Sequence, residues 1–320
     1  MRLPTLLVLL TATGCASNLS SMQTAKPLAR GQVQVSGGVG FFAPAGQVVT
    51  VIDQGIRQGK AIKAAIDSGE PYHLSEEDAQ TLLGVGMALA VAPPGSSNEL
   101  MVRAGVLEDS ILDLGLRLST ASVRGDAKVR LLHAGDELDS PLPEHKRKSF
   151  DVALGVGVSR HLFKSPVLDA LEMVKIDDFS RWDIEVPLYM SMDHGDILKL
   201  YAAPKFIHSS TRLDQKLVDW SQFGQAVTGF DIAMPSRVTS QFYGTSMGFA
   251  LGYKYVHLYA ELTAGYTYCR PVILGRERDL GGVTLYPSVG IAIKNPTPLG
   301  AMLGPVLSPS SPENPGPVEP

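Results

Sequence analysis

Residues 98–133 read NELMVRAGVLEDSILDLGLRLSTASVRGDAKVRLLH, and the middle of this stretch alternates without a break. Leu112, Leu114, Leu116 and Leu118 share one face of an extended chain, while Asp113, Gly115 and Arg117 share the other. A period of two is the mark of a β-strand with one apolar and one polar side. The next run repeats the pattern, setting Ala127, Val129 and Leu131 against Asp126, Lys128 and Arg130. Charges thus recur in mid-strand, opposite a surface built only of aliphatics. In a water-soluble sandwich that surface would meet a second sheet. In a membrane-spanning barrel it meets lipid, and the charges point into the lumen. We read a barrel.

The same pattern extends in both directions. Gly31 to Phe42 forms a first strand, and the opening stretch holds the next three. Phe150 to His161, Trp182 to Asp193, Ile197 to His208, Tyr243 to Lys254, His257 to Tyr268 and Gly282 to Lys294 supply six more. The expected fold is therefore all-β, an antiparallel up-and-down transmembrane β-barrel of about ten strands across residues 31–294. If Gly84 to Ala92 is also a strand and one more is missed, the number is twelve. Short and long connections largely alternate, as in barrels with tight turns at one rim and long loops at the other. Pro187, Pro204 and Pro287 fall inside strands, where each removes a ladder donor, so local bulges are expected there.

Residues 45–97 interrupt the pattern as an insertion in the first long loop. Ile52, Ile56, Ile62 and Ile66 follow a helical period, and Gly69 stops it. Ser75 with Asp78 resembles a capping box for a second helix. Residues 1–14 carry Arg2 and a short apolar run, Leu6 to Leu10, too brief to span a bilayer and suited to a signal peptide. Residues 15–30 are polar and irregular, and read as a tether leading to the first strand. An even strand number returns both ends of the barrel to the short-turn side, where such a tether would place Cys15. Residues 295–320 are proline-rich and of low complexity, a tail expected to be disordered.

Composition narrows the function classes. The 28 basic and 32 acidic residues nearly balance, which gives no sign of nucleic-acid binding. With only Cys15 and Cys269, the chain has no disulfide framework and no thiolate metal site. The 32 glycines suit a crowded lumen, whereas an aromatic content of 7% is low for a barrel with aromatic girdles.

Ala12-Thr13-Gly14-Cys15 resembles the bacterial lipobox, which implies a lipidated Cys15; an ordinary cleaved signal is the alternative. Ala16 in place of Asp favours, by the same resemblance, sorting to the outer membrane. With MQTAKPLARGQVQVSGGVG, RAGVLEDSILDLGLRLS and RGDAKVRLL, the chain from Cys15 to Lys294 resembles bacterial outer-membrane β-barrel lipoproteins, porin-like barrels with an N-terminal lipobox. The helical insertion departs from their short first loop. The resemblance implies a Gram-negative outer-membrane location, outer-membrane lipid as a partner and palmitate-type acylation. It supplies no catalytic residue.

The candidate site is the lumen charge network of Asp113, Arg117, Asp126, Lys128, Arg130, Asp151, Asp183, Glu185, Lys199, Lys205 and Glu261, with Arg103 and Lys254 beside it. Acids and bases on adjacent strands favour a lumen closed by neutralising pairs over a selective constriction for a small solute, because no ring of one sign is present. The expected role is structural, or that of a narrow porin-like or ligand-binding barrel, without catalysis, cofactor or metal. The alternative is a lipid-anchored soluble all-β periplasmic binding protein. A remote one is a lipid A deacylase-like esterase, in which His208 would activate Ser210 from the same strand face. Thr211 replaces the asparagine usual after that pair.

Overall fold

The computed structural model describes residues 17–68, 93–107, 110–136, 142, 146–162, 179–195, 197–213, 237–273, 276–277 and 279–295. The signal segment, Cys15, the capping-box segment, Gly84 to Ala92 and the proline-rich tail lie outside them.

Ten strands close into a barrel. They are β1 (Val33–Phe42), β2 (Gly95–Gly105), β3 (Leu112–Ser119), β4 (Ser122–Gly135), β5 (Lys148–His161), β6 (Phe179–His194), β7 (Leu198–Leu213), β8 (Arg237–Tyr253), β9 (Val256–Cys269) and β12 (Gly282–Lys294). Consecutive strands pair antiparallel, and β1 closes the sheet on β12, with Val35 opposite Ile293 and Val39 opposite Val289. Closure removes every sheet edge. A small separate hairpin, β10 (Val272–Ile273) with β11 (Arg276–Glu277), sits in the connection after β9. Helix α1 (Ala45–Ser68) follows β1 directly, and its Ile52 and Ile56 are exposed.

Alternation decides which way each side chain points. On β3 Leu116 is 51% exposed, while the adjacent Arg117 is 2% exposed. The same inversion runs round the whole barrel: Val35, Leu100, Val156, Ile184, Leu200, Met247, Leu262 and Ile291 face outward and open. Among the described residues no second layer covers them. The interior holds the charged and hydroxylic residues instead. Its apolar members are mostly aromatic or small, as in the cluster of Phe42, Ile207, Phe242 and Tyr286 with Leu19.

The prolines do not produce the expected bulges. Leu154 pairs with Leu188 and Gly157 with Glu185, a constant register on either side of Pro187. Pro204 and Pro287 likewise stay in register, opposite Thr245 and Leu262. Each strand residue offers its N–H to one neighbour only, so a proline deletes one ladder bond without forcing an extra residue into the strand. The register shift in the ladder lies elsewhere, between Arg130 and Leu132 on β4.

The two rims differ. At one, β6 meets β7 through residues 195–197 and β8 meets β9 through 254–255. At the other, β5 to β6, β7 to β8 and β9 to β12 are joined by longer segments, with only β3 to β4 turning tightly. Several of the exposed aromatics lie at these rims. Phe41, Trp182, Tyr266 and Tyr268 are exposed toward the long-loop rim, and Phe150, Tyr253 and Tyr255 toward the short-turn rim.

Candidate functional site

The lumen contains a continuous chain of alternating charges. Asp113 on β3 lies 3.4 Å from Lys128 on β4 and also pairs with Arg103 on β2. Arg103 reaches on to Asp126, whose carboxylate is 3.9 Å from Arg124. Arg124 crosses to Glu185 on β6, and Glu185 is 3.8 Å from Lys205 on β7. A further pair, Arg117 with Glu99 at 3.3 Å, stands beside this chain, and Glu261 on β9 faces it. These ten groups divide into five cations and five anions. All are buried, so balance is what makes the interior tolerable, since an uncompensated charge there would be strongly destabilising.

What the sequence did not reveal is the other occupant. Residues 17–30, read as a tether, run through the lumen and fill it. The segment leaves β1 at the short-turn rim, where Arg30 bridges to Gly105 and the Gly31 amide donates to the Gly105 carbonyl at 3.1 Å. The Leu28 amide donates to Asp113 at 3.2 Å, and the Ala25 amide to the Ser191 hydroxyl at 3.0 Å. Lys128 donates to the Thr24 carbonyl at 2.8 Å, and the Gln23 side chain to the Tyr189 hydroxyl at 2.6 Å. Glu261 accepts the amides of Ser21 and Met22, both at 2.7 Å, and the Tyr201 hydroxyl at 2.9 Å. Arg117 forks onto the carbonyls of Ser20 at 2.6 Å and Ser21 at 3.1 Å. Lys205 donates to the Leu19 carbonyl, and Thr263 does so at 3.1 Å. Glu99 accepts from the Ser20 hydroxyl at 2.7 Å and from the Asn18 amide at 2.6 Å.

The charges that face inward therefore serve the backbone of an irregular strand. A segment with neither helix nor sheet partners must satisfy its amides and carbonyls somewhere, and here the lumen side chains do it. Shape supports the same seating. Gly38 on β1 and Gly290 on β12 are register partners facing inward, and Met22 fills the notch between them. A Cβ at Gly290 would lie 2.8 Å from the Met22 sulfur. Met22→Ala would leave that notch empty. It is expected to cost about 2–5 kcal/mol, read as a lower temperature for the loss of compact gel migration.

Asp113, Arg117, Asp126, Lys128, Glu185, Lys205 and Glu261 form the network, with Arg103 at its centre. Asp151 binds His133 at 2.6 Å, and Lys199 binds Asp193 at 2.8 Å, both toward the short-turn rim. Asp183 lies at the opposite mouth with Arg181 at 2.8 Å and His161 at 3.0 Å. One assignment is corrected. Lys254 sits exposed in the β8–β9 turn with a positive φ of 53°, because the alternation ends where the turn begins. Arg130 stays on the inward face, opposite the buried Ala153 and between the exposed Val129 and Leu131, and is half-buried just before the register shift. Arg124, Glu99 and Arg181 were missed, although Arg124 shares the period of Asp126 and Lys128.

His208 and Ser210 share one face of β7, as the strand period requires, and neither cross-strand neighbour of His208 is an acid. Both lie on the opposite face from the buried Ile207 and Ser209, and the cross-strand neighbours of His208 are Ile184 and Gln241. The Ser210 hydroxyl accepts from Arg237 at 2.9 Å. Among the described residues no three His, Cys, Asp or Glu side chains come together as a metal site would need.

No protein-family model matches the chain, and no curated protein resembles it in sequence. Among solved structures it is similar to Neisserial surface protein A, with 13% identity over 82% of this chain and 95% of that one, at a TM-score of 0.31. It is also similar to Ail, the attachment invasion locus protein of Yersinia pestis, with 10% identity over 83% and 99% of the two chains, at a TM-score of 0.30.

Proposed function

We propose that the chain is an outer-membrane β-barrel lipoprotein of a Gram-negative bacterium, acylated at Cys15, non-catalytic, and closed by its own N-terminal segment. The observation that carries the reading is the inverted surface. A complete ring of outward aliphatics, including Leu114, Leu116, Leu154, Val156, Leu258 and Leu262, stands open around a charged interior. Open apolar surface of that extent is costly in water and favourable in lipid. The band has a suitable height. From Tyr255 to Tyr266 is eleven residue steps, about 36 Å along the strand and about 28 Å along the axis at a usual tilt of about 40°, close to the ~25 Å apolar band of membrane barrels. The exposed aromatics at both rims fit girdles at the two interfaces.

A lipid-anchored soluble binder would leave this ring in water, with nothing among the described residues to cover it. The two readings separate in one preparation. A chain beginning at Ser17, made without signal or lipid, is expected to fold only with detergent, giving β-rich circular dichroism and heat-modifiable gel migration. Folding to a soluble monomer in plain buffer would end the membrane reading. Acylation is read independently, as incorporation of labelled fatty acid that Cys15→Ser abolishes.

A further inference from the structure

We infer that the chain threads its own barrel, so that Cys15 emerges at the long-loop mouth, on the opposite side of the membrane from the short turns. Arg30 and Gly31 are fixed at the short-turn rim by Gly105, the last residue of β2. Ser17 is fixed at the other end. Its hydroxyl accepts from Arg181 at 3.0 Å, and Arg181 is the third residue of β6, counted from the long-loop rim. The chamber around Ser17 and Asn18 is lined by Phe42, Ser122, His161 and Ser240, each at the long-loop end of its strand.

Covalent reach from Ser17 then bounds how far Cys15 can lie from the long-loop mouth. Two peptide units separate it from Ser17, which allows about 7 Å between their α-carbons. Along β6, the distance from Arg181 to His194 at the short-turn rim is thirteen residue steps, about 43 Å along the strand and about 33 Å along the axis at the same tilt. Cys15 cannot return to the short-turn side while Ser17 is seated. Even strand number therefore does not put the start of the chain beside its last strand.

The consequence for the lipid rests on the outer-membrane reading above. With short turns periplasmic and long loops outside, an acyl group on Cys15 reaches the outer leaflet, over the rim through which residues 17–30 arrived. The barrel then has to close around the segment during assembly, because an acylated terminus cannot be drawn through a lumen already filled by these ion pairs.

The test is sidedness, read on the full chain in cells with a membrane-impermeant maleimide in a Cys269→Ser background. Ala16→Cys reports the N-terminal side, and Tyr255→Cys, in the exposed β8–β9 turn, reports the short-turn side. Ala16→Cys is expected to label on intact cells, and Tyr255→Cys only after the outer membrane is permeabilised. Labelling of both from the same side would overturn threading. Opposite sidedness with Tyr255→Cys outside would keep threading and overturn the assumed orientation. Fatty-acid labelling of the same cells reports acylation separately, so loss of the lipid reading leaves the topological result standing. Should Ala16→Cys impair assembly, Ser21→Cys with Ser246→Cys serves instead. Their hydroxyls are 3.3 Å apart, and failure of that pair to cross-link under oxidation would show that the segment is not in the lumen.

Discussion

A chain lacking residues 17–29 is expected to conduct ions across a planar lipid bilayer where the full chain does not. The ladder of the barrel wall does not include this segment, so the ring can close without it, at the lower stability that loss of the Met22 contact brings. Its ten strands are hydrogen-bonded to one another in a closed ring that begins at Val33. The pairs Arg103 with Asp113, Arg103 with Asp126 and Arg124 with Glu185 join wall to wall and survive the deletion. What changes is the fate of the groups that address the segment. Glu261, Arg117, Lys205 and Lys128 lose backbone partners and face water, which replaces the hydrogen bonds at small net cost. The space left by the segment becomes a hydrated path with mixed charge on its wall, so selectivity between cations and anions should be weak.

In the full chain the segment is held by several charge-assisted hydrogen bonds, each worth about 1.5–3 kcal/mol. Spontaneous opening should therefore be rare, and current should be absent or confined to infrequent events. Heat-modifiable migration of the truncated chain checks that the wall has formed. If the wall forms and the membrane stays silent, the lumen is closed by its own side chains, and the segment is not the element that seals it. Oxidation of Ser21→Cys with Ser246→Cys should leave the full chain silent and suppress even infrequent openings.

How much of this was legible in the sequence follows from which interactions leave a period. Leu112 to Leu118 shows its two faces because a strand cannot change face without a break, and the register of each pair then follows from its turn. The closed barrel and most of the buried charges were readable for that reason. Residues 17–30 have no such period. Their backbone is satisfied by side chains that are scattered over β3, β4, β6, β7 and β9. Seen alone, SNLSSMQTA is merely polar. The one signal was the absence of charge between Ser17 and Ala25, which a segment seated among ten buried charges needs and a solvated tether does not. Gly38 and Gly290 were visible as small inward residues, but the Met22 that fills their notch is remote from Gly290 in sequence.

Arg103→Ala is expected to be the most damaging single substitution in the wall. Arg103 is 2% exposed, and its guanidinium holds Asp113 and Asp126 at once. Truncation leaves two buried carboxylates whose remaining ion pairs among the described residues are with Lys128 at 3.4 Å and Arg124 at 3.9 Å. Breaking a buried pair from one side costs about 3–5 kcal/mol, chiefly because the abandoned charge stays desolvated. The contrast is Arg57→Ala on α1, whose partner Asp53 is 64% exposed at the side chain; an exposed helical pair of that kind is worth at most about 0.5 kcal/mol. Arg103→Lys keeps the charge but loses the fork that reaches both acids, so it should fall between wild type and Arg103→Ala. If the cost arises from stranded anions, adding Asp126→Asn to Arg103→Met should recover much of it, because four cations and four anions then remain, Asp113 keeping Lys128 and Glu185 keeping Arg124. Denaturant unfolding in lipid vesicles reads all four chains. Equal loss for the single and the compensated variants would mean that packing against Gly115, where a Cβ would come within 2.8 Å of the Arg103 guanidinium, sets the cost instead of charge balance.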